Sequence, residues 1–458
     1  MNLRELSNKT VLVLGAGKTG ISAAQFLLDK ANKILLSDAG NIDTIYEHEV
    51  SSLKKNGVEV ETNKNSEGFL NQADLIIVSP GISPFTKIIQ AAQAKNIPTV
   101  SDIELASYFI NKPLICITGT NGKTTTTSLI THILNKNNIS TLCCGNIGTP
   151  IFNAIKSKKD FQYLVIEVSS YQIFYSPTLS AYISVCLNIT PDHLDWHKSF
   201  DHYISSKKKL FDNQKKDSWA ILNATDSILK NFHPKNNIFY FTTTADNLEN
   251  YDHVAFFEDS YLKIKYKNNI ESIIHKDKLN IFGMHNIENT LASIAVSRIV
   301  DIKSVQDSLT SFQGVEHRLE RTKSIGEKEF YNDSKATNPE STIKAIEAIR
   351  MKNKNKKLSL ILGGKDKNTN LDNLITTIKE NIDYVILLGE ARNRFNNELL
   401  KYKYNKGIKM VNNLEEAVKE TLSSNTDIVL FSPACSSFDM FKNYEERGKH
   451  FKEIINKL

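Results

Sequence analysis

This sequence has few cysteines, no long apolar run and almost no excess of either charge. Five cysteines stand in 458 residues, Cys116, Cys143, Cys144, Cys186 and Cys435. The count is odd and no two form a C-x-x-C pair. Neither a disulfide framework nor zinc-ligand spacing is present, and a reducing compartment is expected. Cys116, Cys186 and Cys435 lie in or beside apolar strand-like runs and read as small core residues. No apolar stretch approaches the ~20 residues that span a bilayer, and the opening MNLRELSNKT has no apolar signal core. The expectation is a cytoplasmic protein without membrane insertion. Fifty-seven basic against 51 acidic residues leave a net +6. That surplus suits an anionic small molecule as well as a nucleic acid and by itself decides for neither. By composition alone the lysine-rich runs at 207–209 and 352–357 read as solvated surface. No internal repeat or low-complexity linker interrupts the chain.

What is present is one pattern begun three times, in keeping with about three domains at ~150 residues each. In 1–100 a buried strand at 10–14 leads into Gly15-Ala16-Gly17-Lys18-Thr19-Gly20, a helix at 21–28 and a strand at 34–37 that ends at Asp38. A further strand at 75–79 breaks at Pro80-Gly81. The segment 101–314 restarts with a strand at 114–118, a second glycine loop and a helix at 124–134. It continues with strands at 163–168 and 182–187 and closes with a helix at 286–299. The segment 315–458 has strands at 330–332, 358–362, 384–388 and 428–431. Short apolar runs alternating with amphipathic helices imply parallel sheets and an α/β fold. The polar, aromatic-rich stretch 231–278 differs: Leu262, Ile264 and Tyr266 alternate with Lys263, Lys265 and Lys267, the period of a half-buried strand. It is expected to be an antiparallel excursion of the middle domain.

The second glycine loop carries the clearest chemistry. Gly119-Thr120-Asn121-Gly122-Lys123-Thr124 follows a buried strand and opens a helix. There, backbone N–H groups and the helix amino terminus face an anion, a lysine reaches terminal phosphates and a threonine hydroxyl reaches Mg²⁺. The spacing G-x-x-G-K-T is shorter than that of general phosphate loops, and the bland alternative is a glycine turn with a surface lysine. Such a loop also needs a metal carboxylate at a neighbouring strand end. Glu167 closes the apolar run 163–166 and supplies one, although alone it could simply end a strand.

At this point six motifs line up. TGTNGKT, EVSSYQ (167–172), NITPDHLDWH (188–197), HNIEN (285–289), HRLE (317–320) and NDSKATNP (332–339) resemble the Mur ligases in order and spacing, and SPACSSFDMFKNYEERG (432–448) resembles the D-glutamate-adding branch. The resemblance implies a Rossmann-like N-terminal domain (1–100) for a UDP-sugar substrate. It also implies a P-loop ATPase-like central domain (101–314) and a Rossmann-like C-terminal domain (315–458) for the incoming amino acid. It implies ATP and Mg²⁺, with Gly119, Thr120, Asn121, Gly122, Lys123, Thr124 and Thr125 around the phosphates. Thr124, Glu167, His193 and a carbamylated Lys207 would hold magnesium. Asn286 and Asn289 fall near the adenine, and Arg318 and Asp333 at the ATP phosphate and ribose. Lys18, Thr19, Asp38, Ser79, Gly81 and Asn146 fall on the UDP-muramoyl side. Lys335, Thr337, Lys367, Ser437, Phe438 and Tyr444 fall where D-glutamate is held. The implied reaction is addition of D-glutamate to UDP-N-acetylmuramoyl-L-alanine through an acyl phosphate, in peptidoglycan precursor synthesis. A monomer working on small molecules, with no nucleic acid, is expected.

Two departures stand out. Ala39-Gly40 is smaller than the polar pair some relatives place near the uracil, and the run 207–209 leaves the carbamylated position open by register. Lys207 is chosen because it lies four after Tyr203 and four before Phe211. Rival readings are a sister Mur or folylpolyglutamate-type ligase, a scaffold that binds nucleotide without ligating, and a nicotinamide dehydrogenase. The last rests on Gly15-x-Gly17-x-x-Gly20 with Asp38 eighteen residues beyond Gly20.

Overall fold

The computed structural model describes residues 4–458 except Asp43, Ile147, Lys158, Lys159, Asn268, Lys367 and Asn368. Three sheets follow one another along the chain. The first is all parallel, in the spatial order Glu59–Glu61, Lys33–Ser37, Thr10–Leu14, Leu75–Val78, Thr99–Ser101. The strand order reverses at Thr10–Leu14, so the first glycine loop opens at a topological switch point, where open α/β sheets bind ligands.

The second sheet has nine strands. Seven are parallel, in the order Thr141–Gly145, Tyr163–Glu167, Leu114–Thr118, Ile183–Cys186, Trp219–Asn223, Asn237–Thr242, His253–Glu258. Two antiparallel strands, Tyr261–Tyr266 and Asn269–His275, complete it. The expected antiparallel excursion is therefore corrected: its first two strands continue the parallel sheet, and the chain reverses only after Glu258. The alternation read at 262–267 is real, with Leu262 and Ile264 buried. It identifies a half-buried strand without fixing the direction of its predecessors.

The third sheet runs Glu320–Arg321, Glu329–Asn332, Ile428–Phe431, Leu358–Gly363, Tyr384–Leu388, Gly407–Met410, parallel except for the first short strand. The chain divides into two compact units. One runs to Lys278 and takes in Ile287–Thr310, and the other comprises Leu279–Asn286 and Ser311–Leu458. Among the described residues no helix is long and apolar enough to cross a membrane.

One helix shows how the sequence positions the site. Phe200–Asp212 starts at Ser199, whose hydroxyl accepts the His202 N–H, and buries Tyr203, Ser206, Lys207, Leu210 and Phe211. The spacing i, i+3, i+4, i+7, i+8 is that of a core-facing stripe. Burial of each large apolar side chain contributes about 1.5–3 kcal/mol, enough in sum to draw one lysine on the same stripe inward against its desolvation cost.

Candidate active site

In the first unit the second glycine loop leaves the strand Leu114–Thr118 and enters the helix Lys123–Lys136. The loop is held from below: the Thr120 N–H donates to the Asn188 carbonyl at 2.9 Å, and the Asn121 N–H donates to the Asn188 carboxamide at 2.8 Å. Gly122 has φ +86°, and a Cβ there would lie 2.3 Å from the Asn289 carboxamide oxygen. Glycine is required on both counts. Asn289 is buried, and its oxygen accepts from the Thr126 hydroxyl at 3.1 Å. Its side chain thus braces the start of the phosphate-loop helix, a contact that helical spacing alone does not reveal. The Lys123 ammonium folds back onto the carbonyls of Gly119 (2.9 Å) and Thr120 (2.8 Å). Thr124 and Thr125 are buried in the first helical turn.

Around this loop stand the residues expected to hold a cation. Glu167 is the register partner of Ile117 at the end of the adjacent strand and is 2% exposed. Its Oε1 accepts from Asn146 Nδ2 at 3.0 Å, while Oε2 is buried without a hydrogen-bond partner among the described residues. A carboxylate oxygen so placed is costly unless a cation or ligand donor completes it. Lys207 is 1% exposed, and its amine donates to the Gly119 carbonyl at 3.0 Å and the Thr118 hydroxyl at 3.3 Å. Burial, with the nearby charge of Lys123, pulls its pKa down to about 7. The reading of the run 207–209 as uniformly solvated is overturned: Lys208 is exposed, and Lys209 lies partly buried over the Phe174 ring. His193 adopts φ +53° and stands half-exposed beside Tyr171, its pKa lowered by burial and by Lys123 and Lys207 after partial opposition from Asp192. Among the described residues no three His, Cys, Asp or Glu side chains form a metal cage. The donor set expected from the resemblance is one carboxylate oxygen, a histidine, a threonine hydroxyl and a lysine. Such a set would fit a hard divalent cation if the lysine were converted to an anion and phosphate and water completed the shell.

The N-terminal sheet contributes its own loop. The Asp38 carboxylate accepts the Ala16 N–H at 2.7 Å and the Gly40 N–H at 2.8 Å, and so pins the first glycine loop. Lys18 Nζ reaches the Gly148 carbonyl at 2.5 Å, and the Ser79 hydroxyl donates to the Gly15 carbonyl at 3.4 Å. Thr19 is half-buried and Gly81 exposed on the same rim.

In the second unit Asp333 ends the strand region at Asn332 and is 8% exposed. The Ser432 hydroxyl (2.7 Å) and the Leu319 N–H (3.1 Å) donate to its two oxygens. Burial raises its pKa to about 7, against the opposing effect of those bonds and of Arg318 and Arg447. Arg318 Nε is buried without a hydrogen-bond partner among the described residues. The Lys335 N–H donates to the His317 carbonyl, and its ammonium stands 5.3 Å over the Tyr444 ring. Ser437 is buried, Thr337 half-buried and Phe438 68% exposed. Asn286 donates to the Phe282 carbonyl at 2.8 Å. Lys367 lies outside the described residues.

Sequence reasoning gave no role to Arg447. It is 2% exposed, and its guanidinium donates to Ser334 Oγ and to the carbonyls of Ser334 and Cys435. The signal was available, because Arg447, Gly448, Phe451, Ile454 and Ile455 form the buried stripe of the helix Tyr444–Lys457. His197 was passed over in the same way. It is fully buried, with Nε2 2.9 Å from Ser170 Oγ and Nδ1 2.9 Å from His202 Nδ1.

A glycine loop between a buried strand and a helix, with a buried carboxylate ending the neighbouring strand and a buried lysine against the loop, has the form of a nucleotide-dependent enzyme's phosphate site. The chain matches the MurD-like N-terminal domain over residues 9–101, the Mur ligase middle domain over 117–297 and the Mur ligase glutamate ligase domain over 317–435. It is 36% identical to the UDP-N-acetylmuramoylalanine--D-glutamate ligase of Thermoanaerobacter pseudethanolicus, with 99% of each chain covered. It is also 36% identical to the ligase of the same name from Clostridioides difficile, over 99% of this chain and 100% of that one. In fold it resembles UDP-N-acetylmuramate-alanine ligase MurC of Thermotoga maritima (TM-score 0.60, 18% identity, 98% and 100% covered). It also resembles MurF ligase of Thermotoga maritima in complex with ADP (TM-score 0.58, 17% identity, 93% and 95% covered). This chain belongs to the Mur ligase family. It is a ligase that forms carbon–nitrogen bonds, and the dehydrogenase reading of the first glycine loop is set aside.

Proposed function

We propose that this chain joins D-glutamate to the L-alanyl carboxylate of UDP-N-acetylmuramoyl-L-alanine in the cytoplasm, at the cost of one ATP, with Mg²⁺ at Glu167. The observation that carries the metal reading is the buried Glu167 Oε2 beside the phosphate loop, unpartnered among the described residues. The identity to D-glutamate ligases over 99% of the chain supports the choice of amino acid. We assign 1–100 to the UDP substrate, 101–314 to ATP and 315–458 to the amino acid.

A carboxylate and an ammonium do not condense at neutral pH, because oxide is a poor leaving group and the protonated amine is no nucleophile. The substrate carboxylate attacks the γ-phosphorus of ATP, ADP leaves, and an acyl phosphate forms. The amine of D-glutamate, having lost its proton, attacks the acyl carbon, and the tetrahedral adduct collapses to amide and phosphate. Lys123 and Arg318 carry the positive charge that offsets the charge building on the phosphoryl oxygens. Magnesium, when bound, supplies further charge neutralisation there. Thr124, Glu167, His193 and carbamylated Lys207 would hold it, and Lys335, Thr337, Lys367, Ser437, Phe438 and Tyr444 would hold D-glutamate, the two lysines facing its carboxylates.

A phosphate-release assay with UDP-N-acetylmuramoyl-L-alanine tests the substrate. D-glutamate is expected to drive ATP turnover, with L-glutamate and diaminopimelate near background. Comparable turnover with diaminopimelate would move the chain to a sister specificity.

A further inference from the structure

The sequence placed Asn146 on the UDP-muramoyl side, yet its side chain is spent on Glu167. Nδ2 donates to Glu167 Oε1 at 3.0 Å, and the Asn146 backbone N–H donates to the Glu167 carbonyl at 2.9 Å. The approach is built in by the preceding strand. Thr141–Gly145 pairs in parallel with Tyr163–Glu167, with Gly145 the register partner of Glu167. A Cβ on Gly145, at φ +106°, would lie 2.3 Å from the Glu167 carbonyl oxygen and 2.8 Å from Ile166 Cγ2. Only glycine lets the chain pass close enough for residue 146 to grip the carboxylate from both its backbone and its side chain.

We propose that Asn146 is a positioning residue for the metal-binding carboxylate: it fixes Glu167 Oε1 so that Oε2 is presented to the cation. The terminal torsion of a glutamate is broad, so a carboxylate without this bond would have to be ordered when the cation binds. Groups that hold a metal ligand in this way change metal affinity by about 10–100-fold when removed. A role confined to substrate contact would leave metal binding untouched as long as the UDP substrate is absent.

The inference rests on the reading of Glu167 as a metal ligand, and the experiment separates the two. Mn²⁺ binding is followed by the loss of the free-ion EPR signal, with the non-hydrolysable ATP analogue AMPPCP present and no UDP substrate. It is measured for wild type, Asn146→Ala, Asn146→Leu and Glu167→Ala, each checked for a cooperative melt. Leucine keeps the bulk of asparagine and removes the donor, which separates packing from hydrogen bonding. Both Asn146 variants are expected to bind Mn²⁺ about tenfold more weakly than wild type or worse, with Glu167→Ala weaker still. Wild-type affinity in both Asn146 variants beside a weakened Glu167→Ala overturns the positioning role alone. A weakened Asn146→Ala beside a wild-type Asn146→Leu assigns the effect to packing and overturns it too. Wild-type affinity in Glu167→Ala overturns the metal reading itself.

Discussion

Lys207→Ala is expected to lose about 10²–10³-fold of its turnover, while Lys208→Ala and Lys209→Ala stay near wild type. The three lysines are adjacent in sequence but not in environment. Only Lys207 sits on the buried stripe of its helix, with its amine 3.0 Å from the phosphate-loop carbonyl of Gly119. An ammonium there would repel a divalent cation. A neutral amine can take up CO₂ to become an anionic carbamate, and a pKa drawn down to about 7 makes the neutral form available at ordinary pH. Acetate, as a small carboxylate, should partly restore Lys207→Ala by filling the vacated position. If Lys208→Ala proves the inactive variant, the helix register is wrong. The same burial has a cost in stability. The folded pKa lies below the unfolded 10.5, so between about pH 7 and 10.5 the unfolded chain binds more protons and stability rises with pH. Below that window both states are protonated and the penalty is complete. Lys207→Met should therefore melt at a higher temperature than wild type at pH 6 while being inactive, a comparison that differential scanning calorimetry and the phosphate assay make together.

Lys123→Ala should lose about 10³-fold or more of phosphate release, the scale on which a cation at a transferring phosphoryl group acts. UDP-substrate binding, measured by calorimetry, should be nearly unchanged, because the groups assigned to that substrate lie chiefly on the N-terminal loop pinned by Asp38. The Lys123 ammonium already bonds two loop carbonyls, so the variant also loses a loop clasp. Lys123→Arg keeps the charge, and failure of arginine to restore turnover would show that compact geometry matters as well. Full activity in Lys123→Ala would remove the phosphate-loop assignment.

The parallel strands were legible because they are continuous apolar runs: Leu114–Thr118, Tyr384–Leu388 and Ile428–Phe431 have the bounds their sequences suggest. Thr141–Gly145, an edge strand reading TLCCG, was not, since an edge is buried on fewer sides and needs less apolar sequence. At the site, the glycine loop and Glu167 were readable from local order alone. Lys207 was half readable: its spacing from Tyr203 and Phe211 marks the stripe, but the charge of the run argues the opposite until burial is seen. The bonds of Asn146 to Glu167 and of Thr126 to Asn289 join residues 21 and 163 positions apart. Such pairings come from sheet register and helix packing, which no single local pattern encodes.

The most direct test of the central claim follows an oxygen atom. UDP-N-acetylmuramoyl-L-alanine labelled with ¹⁸O in both carboxylate oxygens is turned over with ATP, Mg²⁺ and D-glutamate, and the phosphate released is analysed by mass spectrometry. If the carboxylate attacks the γ-phosphorus and the amine then displaces phosphate from carbon, each phosphate carries one ¹⁸O and each amide product retains the other. Unlabelled phosphate formed in step with product would contradict the acyl-phosphate route, and unlabelled phosphate without amide product would contradict ligation itself.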